Sequence, residues 1–206
     1  EDQIPVGRSK LAGRPDVPDG FEWPTTKDGP CWFIAQVDLA DLKSFDTGYK
    51  LPKKGLLSFF YHDSQGTAGP HSRIYYFPPG RLHRHEIVVD PRYGGVDFHD
   101  RHLYPRSLRL EQGYCLPPEV EQFRLTKREL ADWDVYELLN VKESFHARFA
   151  GGTHRLFGYP KHLKAPRGYQ QVATFGEVYD RYYYFVPERD LEALDFRKLR
   201  VIYECS

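Results

Sequence analysis

Trp32-Phe33-Ile34-Ala35-Gln36-Val37-Asp38-Leu39 is followed, after a linker ending in Leu51-Pro52-Lys53-Lys54-Gly55, by Leu56-Leu57-Ser58-Phe59-Phe60-Tyr61. Both runs are short, rich in aromatic and β-branched side chains and bounded by Pro, Gly and Asp, so they read as two largely buried strands. Gln36 is the exception within the first. A buried glutamine needs donors and acceptors around it, which assigns it a structural partner elsewhere in the fold.

Working outward, residues 1–30 carry Gly7, Gly13, Pro15, Pro18, Gly20, Pro24, Gly29 and Pro30. Such a density of turn formers predicts a segment that wraps the surface, with Leu11, Phe21 and Trp23 pinning it to a core. Asp38 is placed to cap a short helical turn over residues 39–42. Further strands are expected at residues 73–77, 85–89 and 107–111. Thr126-Lys127-Arg128-Glu129 is a capping box, and the apolar side carried by Leu130, Trp133 and Tyr136 predicts the main helix, running to residue 149. Gly151-Gly152 stops it. The C-terminal quarter reads as strands at 169–175, 181–186 and 199–205, with a short helix over 190–194 behind Pro187. The expected class is α+β, β-rich, with mostly antiparallel strands and one main helix.

A pattern recurs. Lys10-Leu11-Ala12-Gly13-Arg14-Pro15 returns as Arg155-Leu156-Phe157-Gly158-Tyr159-Pro160, and each copy leads towards a strand holding a glutamine, Gln36 or Gln171. Each is then followed by an aromatic strand. The expectation is a single domain over 1–206 whose halves, about 1–80 and 151–206, are related by internal duplication about a pseudo-two-fold axis, with a middle segment 81–150. A cleft between such halves is the default binding site. Its candidate residues are Trp23, Gln36, His154, Arg155, Gln171 and Glu177.

The same motifs resemble the YwqG-like family, a mainly bacterial group known as a domain of unknown function. The resemblance rests on Leu11-Ala12-Gly13-Arg14-Pro15-Asp16, Pro18-Asp19-Gly20-Phe21-Glu22-Trp23-Pro24, residues 33–39, residues 51–60, His154-Arg155-Leu156-Phe157-Gly158-Tyr159-Pro160 and Asp195-Phe196. It implies a compact, β-rich, bacterial, cytoplasmic domain and carries over no reaction. Where that family has Trp-Gly-Asp, this chain has Phe175-Gly176-Glu177, and the stretch between Pro160 and Gln171 is shorter.

Composition narrows the function classes. The 29 Lys and Arg balance 29 Asp and Glu, so no global field draws the chain to nucleic acid or an anionic membrane. Three cysteines, Cys31, Cys115 and Cys205, form neither a disulfide framework nor a zinc motif. Neither a long apolar run nor a signal peptide is present, and the expected compartment is the cytoplasm. The basic stretch from Arg81 to Arg109 is diluted by Glu86, Asp90, Asp97 and Asp100 and reads as a mixed surface. No phosphate loop, nucleophile elbow or cysteine paired with a base is evident, and no cofactor is expected.

Two readings result. The favoured one is a non-catalytic protein-interaction or regulatory protein, in one version a bacterial immunity-type protein, whose partner is another protein; exposed tyrosines would suit a homodimer equally well. The alternative is a metal-dependent hydrolase built on His83, His85, His99 and His102, and it requires those imidazoles to converge on one coordination sphere.

Overall fold

The computed structural model describes residues 1–27, 29–64, 67–68, 72–86, 105–113, 154–160, 165–176 and 180–205. In chain order its elements are β1 Lys10–Leu11, β2 Asp16–Val17, β3 Thr25–Thr26, β4 Gly29–Pro30, β5 Trp32–Asp38, a 3-10 turn Leu39–Leu42, β6 Leu56–Tyr61, β7 Asp63–Ser64, β8 Thr67–Ala68, β9 Arg73–Phe77 and β10 His83–Arg84. Then follow β11 Arg106–Ser107, β12 Arg155–Leu156, β13 Tyr169–Gly176, β14 Asp180–Pro187, α1 Glu188–Glu192 and β15 Arg200–Cys205. The fold is β-rich, its ladders are antiparallel, and α1 is the one α-helix among the described residues. The helix expected over 126–149 lies outside them.

The two apolar runs pair with each other. β5 and β6 form the centre of a five-stranded sheet in the order β11-β1-β5-β6-β9. Every residue of β6 is buried, because both faces of this sheet are covered. Period-two alternation therefore gives way to a continuous apolar run. On one face Leu11, Ala35, Phe59 and Ile74 lie in register across four strands. On the other, the row is Lys10, Gln36, Ser58 and Tyr75.

A second sheet, in the order β12-β13-β14-β15, packs its own apolar face against the first. The interface is aromatic: Phe59 meets Phe175 and Tyr184 at 4.9 and 5.2 Å between ring centroids, and Tyr61 meets Tyr182 at 4.7 Å. The rings meet edge-on or tilted, the arrangements that the ring quadrupole favours.

Both sheets carry a bulge. The β5–β6 register slips between Phe33 and Ala35, and the β13–β14 register slips between Gln171 and Ala173. The carbonyl of each bulged residue is taken up by the residue after the neighbouring two-residue strand: Ala12 N–H donates to the Ile34 oxygen at 2.8 Å and Phe157 N–H to the Val172 oxygen at 2.9 Å. Ala12 and Gly13 are consecutive left-handed residues with φ of 53° and 73°; Phe157 and Gly158 repeat this at 60° and 80°.

Several local expectations are met. Asp38 caps the 3-10 turn by accepting from Ala40 N–H at 2.9 Å. Leu11 is buried, and Phe21 and Trp23 pack on the first sheet. Others are displaced. The short C-terminal helix begins at Glu188, not at 190, with Pro187 as a cap that has no side-chain bond. β10 precedes the expected strand at 85–89, of which 87–89 lie outside the described residues, and β11 is two residues long because it pairs only with β1. The turn-rich N-terminal segment supplies a strand to the interior of a sheet, since β1 is hydrogen-bonded on both sides.

Candidate functional site

The segment between Pro15 and Cys31 crosses the outer face of the first sheet, and its aromatic residues hold it there. Phe21 stacks on Phe60 at 6.0 Å and meets Tyr75 and Phe77 edge-on at 5.3 and 5.5 Å. Trp23 meets Phe60 edge-on at 5.4 Å, and its indole N–H donates to the Cys31 oxygen at 2.9 Å. Between this strap and the sheet lies an open cleft of about 710 Å³, lined by residues 20–26 with Cys31, Arg73 and Tyr75. Aromatic walls with a few polar groups are the usual make-up of a binding site.

Within the cleft the charged Glu22 and Arg73 stand beside a thiol and a phenol that burial keeps protonated. Burial pushes the Cys31 thiol up to about 12 against the opposing pull of Arg73, so at neutral pH it is a protonated thiol and not a nucleophile. Burial raises Tyr75 in the same way, again opposed by Arg73. His85, which follows β10, packs against Phe21 at 6.0 Å and Trp23 at 5.1 Å. His83 is half-exposed, with its Nδ1 3.2 Å from Asp19. His99 and His102 lie outside the described residues. Among the described residues no group of three or more His, Cys, Asp or Glu side chains is placed to hold a metal ion.

Beside the cleft is a buried ion network that the sequence did not reveal. Asp16 is 0% exposed and accepts four bonds: from Gly7 N–H at 2.8 Å, Gln36 Nε2 at 2.6 Å, Arg84 Nε at 3.0 Å and Lys10 Nζ at 3.3 Å. Lys10 is also 0% exposed and donates to Glu1 and to the Arg14 oxygen. Desolvation lowers the pKa of Lys10, with Arg84 acting the same way against the attraction of Asp16 and Glu1. Glu1 feels burial, which would raise its pKa, yet the Arg14 amide, Lys10 and the Arg14 side chain together hold its carboxyl below the usual value. Glutamine suits position 36 because its amide both accepts from Asp16 N–H at 2.8 Å and donates to the Asp16 carboxylate and the Arg8 oxygen. No shorter or singly functional side chain makes that set.

The residues anticipated from sequence are dispersed. Trp23 lines the cleft, and Gln36 sits in the ion network behind it. His154, Arg155 and Gln171 belong to the second sheet region: His154 Nδ1 accepts from Gly176 N–H at 3.2 Å, Arg155 pairs with Thr174, and Gln171 donates to the Phe157 oxygen at 3.2 Å. The Gln171 Oε1 is buried with no protein partner. Glu177 lies outside the described residues. Lys10, Asp16 and Arg84 were missed, and the one available sign was that the Lys-Leu-x-Gly-Arg-Pro-Asp string recurs in part later in the chain.

No curated protein matches the sequence closely enough to lend it a function. A family model described as a domain of unknown function, DUF1963, matches residues 9–178, from the eve of β1 to beyond the end of β13, and the chain belongs to that family.

Proposed function

We propose that this protein is a non-catalytic interaction or regulatory protein that uses the cleft beside Phe21, Trp23 and Tyr75 to seat an apolar side chain of a protein partner. The observation that carries the reading is the combination of aromatic walls with a thiol and a phenol that burial keeps uncharged. A cleft of this size takes an anchor residue together with its neighbours, and the protonated thiol and phenol favour burial of that anchor over chemistry upon it. In its sharpest form the reading is a bacterial, cytoplasmic, YwqG-like protein of immunity type, which recognises neither nucleic acid nor membrane.

The reading includes an internal duplication. Its support is the matching bulges, the matching left-handed pairs Ala12-Gly13 and Phe157-Gly158, and the contact of Phe59 with Tyr184. Phe59 pairs with Ala35 and Tyr184 with Ala173, each just past its bulge, so the two occupy like positions in their sheets. A contact between like positions is expected near a two-fold axis. On this match Gln36 corresponds to Thr174, and Gln171 to Phe33, so the two glutamines are not each other's equivalents.

The test is affinity capture from native cytosol with the intact chain and with Trp23→Ala and Tyr75→Ala, each first checked for an unchanged circular dichroism spectrum. A partner retained by the wild type and lost from both variants is the expected result. The alternative, a metal-dependent hydrolase on His83, His85, His99 and His102, is judged by elemental analysis and by melting with and without chelator. A stoichiometric metal whose removal lowers the Tm would overturn the interaction reading.

A further inference from the structure

The turn that follows β1 forms a cradle for an anion. Ala12 and Gly13 are both left-handed, and this turns the Arg14 N–H towards the Glu1 carboxylate, where it donates to Oε1 at 2.7 Å. A turn that aims a backbone N–H at an anion beside basic side chains is a recurrent anion-binding device. Lys10 Nζ reaches the same oxygen at 3.2 Å, Arg14 Nε reaches Oε2 at 3.4 Å, and Arg84 Nε stands 3.8 Å from Oε1. The absence of a side chain at position 13 leaves room for the carboxylate where it now sits. A Cβ there would lie 2.5 Å from Oε1 and 2.8 Å from the carboxyl carbon.

The charges around the cradle do not balance without its occupant. Lys10, Arg14 and Arg84 bring three positive groups, against the buried Asp16 and the exposed Asp2, whose Oδ1 lies 3.5 Å from Arg14 and which belongs to the same segment as Glu1. The walls come from β1, the turn and β10, which the sheets hold in place. The occupant does not belong to any strand. Residues 2, 3, 5 and 6 on either side of Ile4 are exposed, and Val6 is the exposed large apolar residue of the described chain. Arg84 holds this segment by donating to the Glu1 and Ile4 oxygens.

We infer that the cradle of Lys10, Gly13, Arg14 and Arg84 is a carboxylate-binding site, filled by the chain's own Glu1 and open to an external carboxylate when residues 1–4 lift away. The ligand is a carboxylate because the planar group already there uses both oxygens: Oε1 accepts from the Arg14 amide and Lys10 Nζ, and Oε2 accepts from Arg14 Nε. The site is separate from the aromatic cleft, so the fate of either proposal leaves the other standing.

The experiment compares the wild type with Glu1→Ala in acetate titrations balanced with chloride to constant ionic strength, reading both the Tm and the Arg14 amide resonance. Glu1→Ala is expected to melt about 3–6 °C lower, and acetate is expected to restore that loss saturably while moving the Arg14 amide. The wild type should do neither, since Glu1 fills the site. Adding Arg14→Gln to Glu1→Ala keeps the backbone donor but removes the side-chain one, and acetate should then bind roughly fivefold to tenfold more weakly. Glu1→Gln, whose neutral amide keeps the shape of the occupant but loses its ion pairs with Lys10 and Arg14 and so is displaced by acetate, secures the comparison should the alanine variant fail to fold; its Arg14 amide should still respond to acetate. An Arg14 amide unmoved by acetate in all Glu1 variants would overturn the inference and leave Glu1 as a structural brace. Equal or tighter binding of inorganic phosphate would overturn the assignment to carboxylates.

Discussion

Tyr184 is 0% exposed at the sheet interface, and its hydroxyl has no protein partner. A buried hydroxyl left unbonded costs more than it contributes, so Tyr184→Phe is expected to raise stability by about 1 kcal/mol in a denaturant titration. The opposite outcome is expected at Asp16. Its carboxylate is the common acceptor for Lys10, Arg84 and Gln36, and Asp16→Asn would leave buried cations without their counter-charge. The expected loss is about 3–5 kcal/mol, read by urea unfolding monitored at the tryptophans. Such networks are not strong stabilisers as built, but they are costly to break, and that asymmetry identifies Asp16 as its keystone. How much of this was legible in the sequence is instructive: Gln36 announced a buried polar partner, but nothing named Asp16 as that partner.

At the scale of elements, two glycines separate backbone strain from steric contact. Gly55 leads into β6 with φ of +108°, and a Cβ there would lie 2.6 Å from the Tyr76 ring and 2.7 Å from the Phe77 oxygen. Gly48 has φ of +73° and nothing within 4 Å. Gly48→Ala should therefore cost only the left-handed penalty, about 1 kcal/mol, whereas Gly55→Ala should cost more than about 2 kcal/mol, because β9 must also shift. Thermal melts of the two variants side by side check the difference. Equal losses would mean that β9 gives way easily at its free end. The strands themselves were legible, since apolar runs bounded by turn formers are local properties. The short strands β1, β2 and β10 were not, because two-residue ladders have no period to detect and owe their existence to their partners.

For the whole molecule, the two sheets bury one shared apolar cluster between them. Phe59 lies fully buried between Phe175 and Tyr184, and Phe59→Ala is expected to cost about 3–5 kcal/mol. The pH dependence follows from the same burial. Cys31, Tyr75, Tyr183 and Tyr184 all titrate higher in the folded state, chiefly through burial. Their contribution is complete below the unfolded values of 9.0 for the thiol and 10.0 for the phenols, and is lost as pH rises through the folded values. Glu1 has the opposite sign: its folded pKa is depressed, so its contribution is present above 4.5 and lost as pH falls through the folded value. Melting profiles should accordingly decline on both sides, the alkaline decline being the smaller in Tyr184→Phe.

By itself the sequence determined the class of fold, the central pair of strands, the cap at Asp38 and the anchoring of Leu11, Phe21 and Trp23, because each rests on a pattern read within a few residues. Only the tertiary structure decided that Lys10 would be buried, that it would meet Asp16, Glu1 and Arg84, and that His85 would pack on aromatic rings. The physical reason is that a charged residue enters a core only when its partners arrive with it. Asp16 and Glu1 are near Lys10 in the chain, but Arg84 arrives only through the pairing of β10 with β2, and Gln36 reaches Asp16 only from β5, so long-range register completes the network.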